Sequence, residues 1–177
     1  FRDIHLFDEQ VESPYLRAPG IGGQFLYFTL PLVDGYFWST KDELAGLRLI
    51  TKDASGKAVE LLLDAPQVTE SEKDVLQIKS RDQFQNSFII SLHPDHIDVV
   101  CQPAKKQFSW YLALHVPVAN QAELPFKRIE NTSVDATFNQ YHYKVGLDKG
   151  LFKQSTVDGE VFQIIPDNHT VRILTSN

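Results

Sequence analysis

Cysteine is nearly missing from this chain of 177 residues: Cys101 stands alone, which excludes an internal disulfide and any zinc site built on several thiolates. Methionine is missing altogether and the sequence starts at Phe1, which fits a processed product or a domain of a longer chain. Long apolar runs are missing too. The stretch from Leu112 to Ala119 is interrupted by His115 and Pro117 and falls short of the roughly 20 residues that cross a bilayer as a helix. A soluble domain with no membrane span is expected. Positive charge is scarce: 17 Lys and Arg stand against 23 Asp and Glu, a net charge of −6, and Lys105-Lys106 and Lys127-Arg128 are only doublets. Such a surface repels a phosphate backbone, so nucleic acid is excluded as the expected partner.

The familiar signatures of catalysis do not occur either. There is no Gly-x-Ser-x-Gly elbow, no His-Glu-x-x-His and no phosphate loop. Gly20-Ile21-Gly22-Gly23 runs into a strand pattern, whereas a dinucleotide-binding glycine turn opens a helix. Carboxylates such as Asp98, Asp135, Asp148 and Glu160 are frequent enough for a glycosidase pair, but that chemistry is defined by separation in space. No catalytic pair and no cofactor are assigned, and this segment itself reads as non-catalytic.

What the chain does have is strand pattern almost end to end. With 42% hydrophobic residues it buries a core unaided, and its length suits one domain over residues 1–177. The clearest stretch is Phe88 to Cys101, which folds back on itself around His93-Pro94-Asp95-His96. Pairing Leu92 with Ile97, Ile90 with Val99 and Phe88 with Cys101 puts apolar side chains on one face, and a slip of one residue reverses all of them. Pro94 is incompatible with a type I′ turn, so a four-residue loop built on a type I turn is expected, and Cys101 is read as core.

Elsewhere, Leu26, Phe28, Leu30 and Leu32 alternate with Tyr27, Thr29, Pro31 and Val33 ahead of Asp34-Gly35, a strong two-residue turn signal. Pro31 removes a ladder donor, so that strand is expected at a sheet edge or to carry a bulge. Residues 40–44 offer the nearest thing to a helical turn. Leu47–Lys52 and Lys57–Asp64 flank Asp53-Ala54-Ser55-Gly56, a hairpin loop. Gln107 to Val118 reads as one long core strand with Phe108, Trp110, Leu112, Leu114, Val116 and Val118 inward, and Ile129 to Val145 reads as extended with a break near Asn131. Asp158-Gly159 and Pro166-Asp167-Asn168 mark turns between the last strands. The pattern predicts an all-β fold: a predominantly antiparallel β-sandwich of about twelve strands, with a closed β-barrel as the alternative.

Three groups of residues invite a functional reading. Across the Asp34-Gly35 hairpin, Tyr27, Tyr36 and Trp38 share a face, and such a platform suits a sugar whose C–H faces stack on aromatic rings while Tyr OH and Trp N–H serve as polar handles. Tyr111 and His115 share one side of a strand with the small Ala113 between them. If the strand holding Tyr141, His142 and Tyr143 is its neighbour, the two form a polar-aromatic cleft suited to carbohydrate or to general acid–base work. His93 and His96 with Asp95 and Asp98 nearby resemble a zinc or copper donor set, but only the two histidines are expected to converge, so they are read as polar turn residues and no metal site is assigned.

These observations point to a non-catalytic, carbohydrate-binding or accessory β-sandwich of a larger glycan-processing protein, extracellular or periplasmic, whose partner is a glycan or a neighbouring domain of the same protein. Two other readings remain. One is a β-barrel for a small apolar ligand, lined by apolar stretches such as Leu61-Leu62-Leu63. The other is a glycan-active enzyme on a jelly-roll scaffold.

Overall fold

The computed structural model describes residues 4–7, 25–30, 33–37, 46–64, 67–72, 75–93, 96–115, 126–138, 141–157 and 159–174. All regular structure among them is strand. In chain order these are β1 (Ile4–Phe7), β2 (Phe25–Leu30), β3 (Val33–Phe37), β4 (Gly46–Lys52), β5 (Ala58–Glu60), β6 (Gln67–Glu72), β7 (Val75–Arg81) and β8 (Ser87–Leu92). They continue with β9 (His96–Gln102), β10 (Tyr111–His115), β11 (Phe126–Ile129), β12 (Ser133–Phe138), β13 (Tyr141–Lys149), β14 (Leu151–Gln154), β15 (Glu160–Ile165) and β16 (Thr170–Leu174). Residues 40–44, where a helical turn is expected, lie outside the described residues.

The strands form two sheets of eight. The first runs β1-β2-β3-β4-β10-β15-β14, with β5 paired to β4, and the second runs β11-β12-β13-β16-β9-β8-β7-β6. Every pairing is antiparallel except β3 with β4. One hydrophobic cluster joins the sheets: Leu47, Leu49, Leu112, Leu114, Phe162 and Ile164 from the first meet Phe88, Ile90, Ile97, Val99, Val145, Val171 and Ile173 from the second. This is the predicted β-sandwich, although the described residues form sixteen strands rather than about twelve. Neither sheet closes on itself among the described residues, so the barrel alternative is not realised. No helix among them is long and apolar enough to cross a membrane.

The central hairpin has the predicted register. Phe88 pairs with Cys101, Ile90 with Val99 and Leu92 with Ile97, and Phe88, Ile90, Ile97, Val99 and Cys101 are all buried. The strands close with His93 N–H donating to the His96 carbonyl at 2.9 Å; the turn type at Pro94-Asp95 lies outside the described residues. Burial pushes the Cys101 thiol up to about 12, with the Asp82 carboxylate adding to the effect, so the cysteine is an inert core residue. Asp82 is itself buried, because its carboxylate accepts from the Phe84 and Asn86 backbone N–H groups and from Asn86 Nδ2 at 2.8–2.9 Å. That turn joins β7 to β8.

Two other hairpins depart from expectation. Leu30 pairs with Val33, so the β2–β3 reversal precedes Asp34-Gly35, and both of those residues lie inside β3. The strand before it is not an edge either. β1 pairs with β2 on its far side, the β2–β3 register runs from Leu26 to Leu30 without a bulge, and Pro31 itself lies outside the described residues. At the other site, the loop Asp53-Ala54-Ser55-Gly56 forms as read, with Asp53 Oδ1 accepting from Ser55 N, Ser55 Oγ and Lys57 N. Those bonds hold the Asp53 carboxyl below its ordinary value, the Ser55 hydroxyl contributing most. β5 then stops at Glu60; Leu61 is buried, Leu62 is exposed, and neither is in a strand, so Leu61-Leu62-Leu63 does not line a barrel cavity.

Candidate functional site

Two of the predicted residue groups meet on one face of the first sheet. Following the pairing from strand to strand, His5 of β1 stands opposite Tyr27 of β2, Tyr27 opposite Tyr36 of β3, Tyr36 beside Gly46 of β4, and Gly46 opposite His115 of β10. His115 then stands opposite Glu160 of β15. These residues form one row across the sheet, on the face opposite Leu47 and Leu114, which pair with each other in the core. Glycine at position 46 leaves a gap in the row between Tyr36 and His115. Trp38 lies outside the described residues.

Glu160 joins this row through an irregularity in the ladder. Leu114 pairs with Phe162, but His115 pairs with Glu160, so β15 carries one extra residue at this point. Without the bulge, Glu160 shares the parity of Phe162 and Ile164 and points at the core. With it, the carboxylate accepts from Tyr111 OH at 3.2 Å, Ser155 Oγ at 2.7 Å and Gln163 Nε2 at 2.9 Å. Burial pushes the Tyr111 phenol up to about 12, helped by the charge and hydrogen bond of Glu160, so it stays a protonated donor at neutral pH.

Beyond the row, four residues on this same face of β4 and β10 are closed to water. Arg48, Ile50, Tyr111 and Ala113 are all buried, and Arg48 lies 4.0 Å from Glu60. Tyr111 is therefore a packed residue with an engaged hydroxyl. The cleft imagined between Tyr111, His115 and His142 does not form, since His142 pairs with Thr137 in the second sheet while β10 lies in the first. The carboxylates do not gather either: Glu160 is on the first sheet, whereas Asp98 and Asp148 flank Arg172 on the second.

A second cluster lies on the outer face of the second sheet. His93, His96 and Asp98 bring their ligand atoms within 4.8 Å of one another, so three groups converge where sequence reasoning expected two. Arg172 of β16 clamps Asp98 from the opposite side, with Nε–Oδ1 at 2.7 Å and Nη2–Oδ2 at 3.0 Å. Sequence reasoning missed Arg172, and no local signal points to it: Arg172 meets Asp98 only because β16 inserts between β13 and β9.

Compared with protein-family models, curated proteins and solved structures, the chain matches none.

Proposed function

We propose that this chain is a carbohydrate-binding β-sandwich that serves as a non-catalytic accessory domain of a glycan-processing protein in an extracellular or periplasmic setting. The observation that carries the reading is the cross-strand row of Tyr27, Tyr36, Gly46, His115 and Glu160. Adjacent strands lie about 4.8 Å apart, so Tyr27 to His115 spans about 14 Å, room for a short oligosaccharide. Paired tyrosines offer stacking surfaces at one end and polar groups stand at the other, the combination that sugar recognition uses.

The chemistry of the described residues favours binding over turnover. Glu160 is tied by donors from Tyr111, Ser155 and Gln163, and a phenol held up near 12 is a poor base at neutral pH. The apolar-ligand reading loses support because the sheets are open and the space between them is filled by the common core. A glycan array probed with the purified chain tests the proposal, followed by calorimetric titration of the best hit against Tyr27→Ala and Tyr36→Ala. Saturable binding that both variants weaken supports it; no binding to any glycan overturns it, and hydrolysis or elimination of a bound glycan moves the reading to the enzyme.

A further inference from the structure

We propose that His93, His96 and Asp98 form a site for one divalent transition-metal ion of the zinc, nickel or copper class, on the opposite sheet from the carbohydrate row. His93 Nε2 and His96 Nε2 lie 3.9 Å and 3.7 Å from the same oxygen, Asp98 Oδ2. Bonds of about 2.0–2.2 Å to a tetrahedral ion place neighbouring donors roughly 3.3–3.5 Å apart, so the two imidazole–carboxylate spacings need to shorten by a few tenths of an ångström, within a donor set that lies inside 4.8 Å. The two imidazole rings stack with centroids 4.0 Å apart and planes 15° from parallel. Each ring therefore tilts about its χ2 torsion, a soft one, to aim its nitrogen at a shared ion.

The frame around these groups is rigid. Asp98 sits in β9, which is paired on both sides, with Ser91 opposite it in β8 and Arg172 opposite it in β16. His93 and His96 are tied to each other through the backbone at the hairpin's end. The bidentate Arg172 contact takes one lone pair from each Asp98 oxygen and fixes the carboxylate plane; Oδ2 keeps a second lone pair for the imidazoles. Asp148, 3.6 Å from Arg172, offsets part of the arginine's charge. With neutral imidazoles the two carboxylates outweigh the guanidinium, a local balance that favours a cation.

The donor set selects the ion. Two imidazole nitrogens and one carboxylate oxygen suit zinc, nickel or copper, whereas calcium and magnesium want oxygen shells. All three side chains are partly exposed, at 27%, 18% and 14%, so three protein ligands leave at least one position open to water or to an exogenous carboxylate or amine. Such a site is suited to bridging or exchange.

The test is calorimetric titration of chelator-stripped protein with zinc, nickel and copper chlorides in turn, beside ¹H–¹⁵N spectra of the histidine rings. One ion per chain is expected, with zinc shifting the His93 and His96 resonances while those of His5, His115, His142 and His169 stay in place. His93→Gln and His96→Gln are each expected to lower affinity at least about tenfold with unchanged thermal melts of the metal-free forms. Absence of saturable binding overturns the proposal, as do unchanged affinities in both variants or first-equivalent shifts confined to other histidines. Should a variant fail to fold, the spectra of the parent chain decide alone.

Discussion

Trp110 donates its indole N–H to Nδ1 of His169 across 3.1 Å, linking residues 59 positions apart. His169 is one of two non-glycine residues at positive φ in the turn before β16, with Asn168 at 47° and His169 at 59°, the geometry of a type I′ hairpin. That backbone is costly for a histidine. Its carbonyl accepts from Cys101 N–H at 2.9 Å and its ring accepts from Trp110, so the turn is held from both the hairpin and the core. Trp110 in turn meets Phe88 edge to face at 5.3 Å, which ties the turn to the centre of the sandwich.

Trp110→Phe is accordingly expected to lower stability by about 1–3 kcal/mol, combining a partial cavity with loss of the N–H donor. His169→Gly should cost less, because glycine relieves the positive φ while the ring bond is lost. Urea denaturation of the two variants checks the order; a Trp110→Phe midpoint equal to that of the parent shows the bond contributes nothing.

In the central hairpin, Val99 has no exposed surface, so Val99→Asp places an unpaired charge in the core. Loss of more than about 4 kcal/mol, or failure to fold, is expected. His93→Ala, at the half-buried end of the same hairpin, should change stability by less than about 1 kcal/mol in metal-free protein. Equal midpoints for the two would mean that the register is wrong.

The contrast between these hairpins explains what was legible in the sequence. From Phe88 to Cys101 every second residue is apolar and a slip inverts the whole face, so local pattern and tertiary packing agree. At Asp34-Gly35 the local turn signal was strong and lost. The observed register sets Tyr36 opposite Tyr27 rather than Val33, a slip by an even number of residues, which preserves parity; Tyr27 and Tyr36 therefore share a face under either register. The relation of that face to His115 and Glu160 was not legible, because it depends on a parallel β3–β4 contact and on a bulge in β15. The convergence of Asp98 with Arg172 was hidden for the same reason, since the two lie 74 residues apart.

Two glycines at positive φ separate backbone strain from steric conflict. Gly56 has φ 84° and open space where a Cβ would stand, so Gly56→Ala should cost about 1 kcal/mol from the left-handed conformation alone. Gly150, at φ 102°, would put its Cβ 3.0 Å from the Ile165 carbonyl oxygen, a backbone atom with little freedom to move. Gly150→Ala should therefore cost about 2–3 kcal/mol. Thermal melts compare them directly, and a milder Gly150 variant would contradict the close β14–β15 approach.

Stability should fall on the alkaline side. The folded protein keeps the Cys101 proton to about 12 against an ordinary value of 9.0, and the Tyr111 proton to about 12 against 10.0. Between those values the unfolded chain binds fewer protons than the folded one, so unfolding becomes easier as pH rises. The decline begins near pH 9 for Cys101 and near pH 10 for Tyr111, and both contributions are constant below pH 9. Cys101→Ala and Tyr111→Phe should each flatten the fall in urea midpoint between pH 8 and 11. Slopes parallel to that of the parent would show that neither group is shielded from water.

The aromatic end of the proposed carbohydrate row yields the last prediction. Tyr27 and Tyr36 are direct cross-strand partners, the spacing at which two side chains of one face can serve a single sugar ring. Tyr27→Ala and Tyr36→Ala should each weaken glycan binding by an amount on the order of 1–3 kcal/mol, by analogy with base stacking on aromatic side chains. If one sugar ring covers both, the double variant should lose less than the sum of the single losses. The fold should survive, since the register assigns Leu26 and Phe37 to the face of Leu47, which carries the core. Trp38→Ala, two residues along the chain from Tyr36, is measured beside them as a third member of the predicted platform. If instead each tyrosine variant loses about 3–5 kcal/mol of folding stability, the pair is packed interior. That outcome removes the binding surface and the main support for carbohydrate recognition.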